Sequence, residues 1–162
     1  KGGLREEDLV HIQPGGEVIE GSNKPSIEFR MHFAGYRARP GTSGAVHTHS
    51  PVATAFGICN QAFPPINTDA VFLRDTVTVP WLMPGTEQLA EAVGDALEHS
   101  RGAILQNHGL MAVGSDLRKA ATRAMMIEET AKITLYVKQF GGTVSLLPEE
   151  WIDRLASFGD FV

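Results

Sequence analysis

Six histidines are spread over the 162 residues, and three of them are spaced to do chemistry. His47 and His49 are two apart in Ala45-Val46-His47-Thr48-His49, a segment that reads as extended. Side chains alternate along a strand, so both imidazoles leave one face while Thr48 leaves the other, and together they can grip one metal ion; taken alone, the pair reads more readily as partly exposed and inert. His108 lies in Gln106-Asn107-His108-Gly109, a tight turn between the β-prone runs Ala103-Ile104-Leu105 and Leu110-Met111-Ala112-Val113. A third imidazole from that strand pair leaves part of the coordination sphere open, which describes a catalytic ion and not a structural one. His11, His32 and His99 lack such spacing and read as structural or surface residues.

Bringing these residues together takes a layered domain. Leu9 to Ile12 and Glu17 to Glu20, joined by Gln13-Pro14-Gly15-Gly16, read as a hairpin. Pro25-Ser26 opens a run with Ile27, Met31, Ala34 and Ala38 at helical spacing and Ser26 as N-cap, stopped by Pro40-Gly41. A short helix is predicted over Pro51 to Cys59, mostly loop with one or two strands from Asn60 to Met83, and a helix from Pro84-Gly85-Thr86 to Glu98. After the hairpin that carries His108, Asp116 caps the longest helix, with Leu117, Ala121, Ala124, Ala131 and Leu135 on its predicted stripe; Pro148 opens a last one. The expected fold is an α/β (α+β layered) domain over residues 1–162, with a central, largely antiparallel sheet flanked by helices.

Composition excludes several classes of function. Fourteen Lys and Arg against 19 Asp and Glu give a net charge of -5, so there is no basic footprint for nucleic acid or an anionic membrane. Apolar runs reach only four residues, as in Ala70 to Leu73, far short of the ~20 that a membrane helix needs, and no signal peptide is evident. Cys59 is the single cysteine and reads as a buried thiol in a reducing compartment, the cytoplasm.

The run Lys24-Pro25-Ser26-Ile27-Glu28-Phe29-Arg30-Met31-His32, then Arg39-Pro40, Ala45-Val46-His47-Thr48-His49-Ser50-Pro51, Leu105-Gln106-Asn107-His108-Gly109-Leu110 and Ile127-Glu128, in that order, resembles the class II aldolase and adducin head family. The resemblance implies that His47, His49 and His108 bind a divalent ion, Zn2+ or another transition ion such as Mn2+. It implies that Glu28, in a Ser-x-Glu stretch at a helix start, completes the resting metal sphere or swings away to move a proton. It also implies a symmetric homotetramer with sites between subunits, acting on a small molecule. The activity to expect is a lyase that cleaves a carbon-carbon bond by retro-aldol cleavage or decarboxylation through a metal-stabilised enolate. An epimerase or dehydratase on the same scaffold and a non-catalytic, adducin-like interaction head are the alternatives; the second is disfavoured because all three histidines and Glu28 are present.

Two departures from the family bear on the substrate. The sugar-phosphate aldolases carry two serines before the glutamate, both aimed at phosphate; here Ser26 is kept and Ile27 takes the second place. The family's upstream Gly-Asn-x-Ser phosphate loop is not in the chain, so the domain is expected to lack the family's N-terminal segment. A non-phosphorylated hydroxy acid or hydroxy-carbonyl compound is therefore expected. Asp69 and Arg74, in the stretch from Asn60 to Pro80, are the further candidate substrate contacts; Arg74 reads either as a clamp for a carboxylate or as a solvated loop charge. Glu128 reads either as a buried group behind the metal site or as a helix-surface charge.

Overall fold

A 3-10 turn at Glu6–Asp8 leads into a hairpin of β1 (His11–Ile12) and β2 (Val18–Glu20) in the computed structural model, which describes residues 3–158. Gly16 closes the turn between them at φ 94°, a left-handed backbone that side chains resist. There follow α1 (Phe29–Ala38), β3 (Gly44–Thr48), α2 (Pro51–Ile58), α3 (Thr68–Phe72), β4 (Val77–Val79), α4 (Glu87–His99), β5 (Gly102–Leu105), β6 (Gly109–Gly114), α5 (Leu117–Gln139) and α6 (Glu149–Ala156).

Four strands form the main sheet in the order β3-β6-β5-β4. β3 with β6 and β5 with β6 are antiparallel, as the local pattern predicts, whereas β4 joins β5 in parallel. The parallel edge follows from connectivity, because α4 crosses over between those two strands. β5 and β6 are buried along their whole length, which a sheet tolerates only when both faces are covered. On one face Met31 of α1 and Leu89, Val93 and Leu97 of α4 pack against Ala103, Leu105, Met111 and Val113. On the other, Ala53 and Phe56 of α2 and Ala124, Ile127 and Ala131 of α5 pack against Ile104, Leu110 and Ala112. Period-two alternation along β6 thus feeds two separate apolar clusters, and the domain is a three-layer α/β/α stack.

Several expectations change in detail. α1 begins at Phe29, not at Pro25-Ser26: Ile27 and Glu28 form a turn, and the Ser26 hydroxyl accepts the Glu28 N–H at 3.2 Å instead of capping the helix. Asp116 does cap α5, accepting the Lys119 N–H at 2.8 Å. The buried residues of α5 are Ala120, Arg123, Ala124, Met126, Ile127, Thr130, Ala131 and Thr134, which keeps Ala124 and Ala131 of the predicted stripe, whereas Leu117 is 64% exposed. That arrangement lets the helix lie close on β6, where a Cβ at Gly114 would come within 2.7 Å of the Ala120 nitrogen, and gives the Arg123 guanidinium the Val113 carbonyl at 2.6 Å. Residues 68–72, read as loop, form α3, capped by the Asn67 side chain. Cys59 is exposed rather than buried, because α2 ends at Ile58 and its last turn faces solvent there.

Candidate metal centre

Strand register places the first two ligand candidates. His47 pairs with Met111 and Thr48 with Leu110, so the His47 ring is on the α1/α4 side of the sheet, and His49 follows one residue beyond the pairing. The same side holds the start of α1, where Glu28 is the N-cap residue; its side chain makes no capping bond and is turned to other use. His108 comes from the turn between β5 and β6. Asn107 takes φ 60°, a conformation asparagine tolerates, and the His108 N–H reaches the Leu105 carbonyl at 3.0 Å. Gly109 is required next, since a Cβ there would collide with the Thr48 carbonyl oxygen. The close approach of β3 to this turn is what brings the third imidazole to the other two.

The three rings meet edge to face, with centroids 5.0 Å apart for His47 and His49, 4.9 Å for His47 and His108, and 5.2 Å for His49 and His108. Glu28 spans two of them: its Oε2 is 3.1 Å from His47 Nε2 and its Oε1 is 3.1 Å from His108 Nε2. One donor atom from each of Glu28, His47, His49 and His108 falls within 4.8 Å of all the others. The His47, Glu28 and His108 side chains are only 7 to 9% exposed, while His49 is on the solvent side, so the cluster opens outward past His49.

Electrostatics decide what this cluster can hold. His47 Nδ1 is 2.9 Å from the Leu110 carbonyl; that bond makes Nδ1 the protonated nitrogen and leaves the Nε2 lone pair facing the cluster. Burial drives the His47 pKa from 6.5 down to about 4, outweighing the Leu110 bond and the Glu28 charge, and the His108 and His49 imidazoles push the same way as burial. The ring is therefore neutral at pH 7, and its Nε2 lone pair confronts a Glu28 oxygen at 3.1 Å, acceptor against acceptor. Within the cluster, Glu28 Oε1 and His47 Nε2 are buried without a hydrogen-bond partner, a costly state for polar atoms; His108 turns its Nε2 toward Glu28. A divalent ion among nitrogen and carboxylate donors relieves that conflict, so the residues present fit one.

The other candidates are distributed unevenly. Ser26 and Ile27 are exposed in the turn just ahead of Glu28, with Ile27 70% exposed. Asp69 lies on α3, and Arg74 precedes β4 and pairs with Asp153 of α6 at 3.0 Å. Since β4 and β5 run parallel and His108 follows the far end of β5, Arg74 sits at the opposite end of the sheet from the histidines of its own chain. The expected carboxylate clamp thus has no geometry within one chain. Two nearer residues carry more than their sequence signal conveyed. His32, one helical turn beyond Glu28, is half-buried; burial lowers its pKa against the opposing pull of the Glu28 charge and a hydrogen bond to the Ala45 backbone. The four-residue spacing was the available clue. Glu128 is inward, accepting backbone N–H groups of α2.

Comparisons with known proteins agree with this picture. Residues 1–135 match the family model described as Class II Aldolase and Adducin N-terminal domain. The chain is 38% identical over 151 residues to 5-deoxy-D-ribulose 1-phosphate aldolase of Bacillus thuringiensis, covering 93% of the chain and 70% of the relative. It is 35% identical over 140 residues to L-fuculose phosphate aldolase of Methanococcus vannielii, covering 86% and 75%. Among solved structures, one of L-fuculose 1-phosphate aldolase superposes with a TM-score of 0.87 at 29% identity, over 98% of this chain and 74% of the other.

Proposed function

Because the chain belongs to the class II aldolase and adducin N-terminal domain family and is a metal-dependent lyase of the class II aldolase type, we propose that Glu28, His47, His49 and His108 form its active centre and that its substrate is a small ketose 1-phosphate. The observation that carries this is the convergence of three imidazoles and one carboxylate on a single point, with buried lone pairs that have no hydrogen-bond partner. His47, His49 and His108 would hold a divalent ion, zinc or manganese, which supplies Lewis-acid charge where negative charge develops on the substrate carbonyl and its neighbouring hydroxyl. Glu28 takes the proton from the hydroxyl two carbons beyond the carbonyl. The bond joining that hydroxyl's carbon to the carbon next to the carbonyl breaks, the hydroxyl carbon leaves as an aldehyde, and the electron pair passes to the carbonyl side, whose neighbouring carbon takes a proton back from Glu28. The products are an aldehyde and a three-carbon ketone phosphate. The Leu110 carbonyl keeps the His47 ring in one tautomer and orientation while this happens.

The phosphate assignment replaces the earlier expectation of a non-phosphorylated substrate. It is supported by the names of the relatives and by the exposure of Ile27, where a missing hydroxyl leaves water, not a buried orphan, beside the ligand. The Ser26 hydroxyl, which already accepts the Glu28 N–H, has its own proton to donate. The exposed side of the cluster at His49 and the exposed apolar Leu117, Met125 and Tyr136 on α5 support a homotetramer whose sites are completed by neighbouring subunits. The single free thiol supports a reducing, cytoplasmic setting; among the described residues no helix is long and apolar enough to cross a membrane. The test is to incubate the zinc- or manganese-loaded protein with five- and six-carbon ketose 1-phosphates and with hydroxy acids, measuring ketone phosphate and carbon dioxide. Ketone phosphate release supports the reading; carbon dioxide release alone refutes it in favour of a decarboxylase.

A further inference from the structure

Helix α2 starts two residues after His49, and its start is tied down from a distance. Pro51 at its first position has no N–H, which leaves the Val52 and Ala53 N–H groups as donors without a partner inside the helix. The N-cap residue, Ser50, does not serve them: its hydroxyl is 2.7 Å from the Thr48 hydroxyl and makes no capping bond. Glu128 of α5 serves them instead. Its Oε1 accepts from Val52 N at 3.3 Å and its Oε2 from Ala53 N at 2.8 Å, across 76 and 75 residues of chain. A carboxylate there is favoured twice, by charge-assisted bonds and by the positive end of the α2 dipole. The side chain is 13% exposed, and Lys132 stands off at 3.9 Å, so those two backbone groups are its nearest engagement.

His47 is held by the Leu110 carbonyl and His108 by its turn; His49 follows one residue after the last β3–β6 pair and two before α2. The backbone that carries it runs directly into the start of α2. We propose that Glu128 is a positioning residue of the metal centre, pinning the start of α2 to α5 so that the His49 ring faces the other two. This rests on the metal reading above and adds to it a residue on the opposite face of the sheet.

The experiment compares zinc affinity, by competition with a chromogenic chelator, and thermal midpoint for the parent, Glu128→Ala, Glu128→Gln and, as a control in the other layer, Val93→Ala. Glu128→Ala is expected to weaken zinc binding about tenfold or more. Glu128→Gln keeps one acceptor oxygen and is expected to weaken it less, and it carries the test if the alanine variant does not fold. Val93→Ala is expected to lower the midpoint with zinc affinity unchanged. Glu128 variants that bind zinc as tightly as the parent overturn the inference alone. So does a Val93→Ala protein whose affinity falls in step with its midpoint, since stability would then account for everything. A parent that takes up no zinc, manganese or cobalt overturns the metal reading and this inference together.

Discussion

Acidification of the metal-free protein is the perturbation whose effect the site dictates most directly. The unfolded chain carries His47 with an ordinary pKa of 6.5, while burial in the cluster lowers it to about 4. Above pH 6.5 both states hold the ring neutral, and the stability of the fold is at its full value. Between pH 6.5 and 4 the unfolded state binds one more proton than the folded state, so stability falls as the pH falls. At roughly 1.4 kcal/mol for each pH unit, the window of about 2.5 units amounts to about 3 kcal/mol lost by pH 4. His32, also lowered by burial, adds to the loss in the same direction. Carboxylates elsewhere titrate in part of this range, so the useful quantity is a difference. Urea unfolding of the parent and of His47→Gln, in chelator, at pH 7.5, 6.5, 5.5 and 4.5 isolates it. The parent is expected to lose about 2.5 kcal/mol more than the variant across the series, which stops half a unit short of pH 4. Parallel curves for the two proteins would refute the argument that His47 is buried as a neutral ring.

Three further outcomes follow from the geometry. Glu28→Gln is expected to retain the fold and bound metal while turnover drops ~100-fold or more, checked by steady-state kinetics beside metal analysis. Gly109→Ala puts a Cβ against the Thr48 carbonyl and is expected to destabilise the protein by about 1 to 3 kcal/mol while also weakening metal binding, measured by urea unfolding and chelator competition. Asp116→Ala removes the α5 cap far from the histidines; it is expected to cost about 1 kcal/mol in the same unfolding assay and to leave metal affinity unchanged.

How far the sequence revealed the site depended on the range of the interaction. The shared face of His47 and His49 is a local property of alternation and could be read directly. Their meeting with His108 depends on β3 pairing with β6, a contact between distant segments that no local pattern states. Glu28 stood out through resemblance alone, because its side chain departs from the capping role its position implies. The α5 stripe is right at Ala124 and Ala131 and off at its edge for a similar reason: Arg123 and Thr130 face inward, and apolar periodicity does not count them. Glu128 stayed ambiguous, since its partners lie 75 and 76 residues away. Arg74 looked well placed along the chain, yet strand direction puts it at the other end of the sheet.

The bond from His47 to the Leu110 carbonyl spans 63 residues, and that separation sets an order of events during folding. The β5–β6 hairpin closes over the short turn at Gln106 to His108 and can form within microseconds. β3 can join only after a long loop has closed, a step whose entropic cost comes before the contacts that offset it. Until then His108 stands without the pair on β3, and a one-residue slip in docking would present Thr48 in place of both histidines. An ion that needs all three rings thus binds after the strand has docked in register. Added metal is expected to prolong the life of the native state by slowing unfolding, and to leave the rate of reaching it almost unchanged.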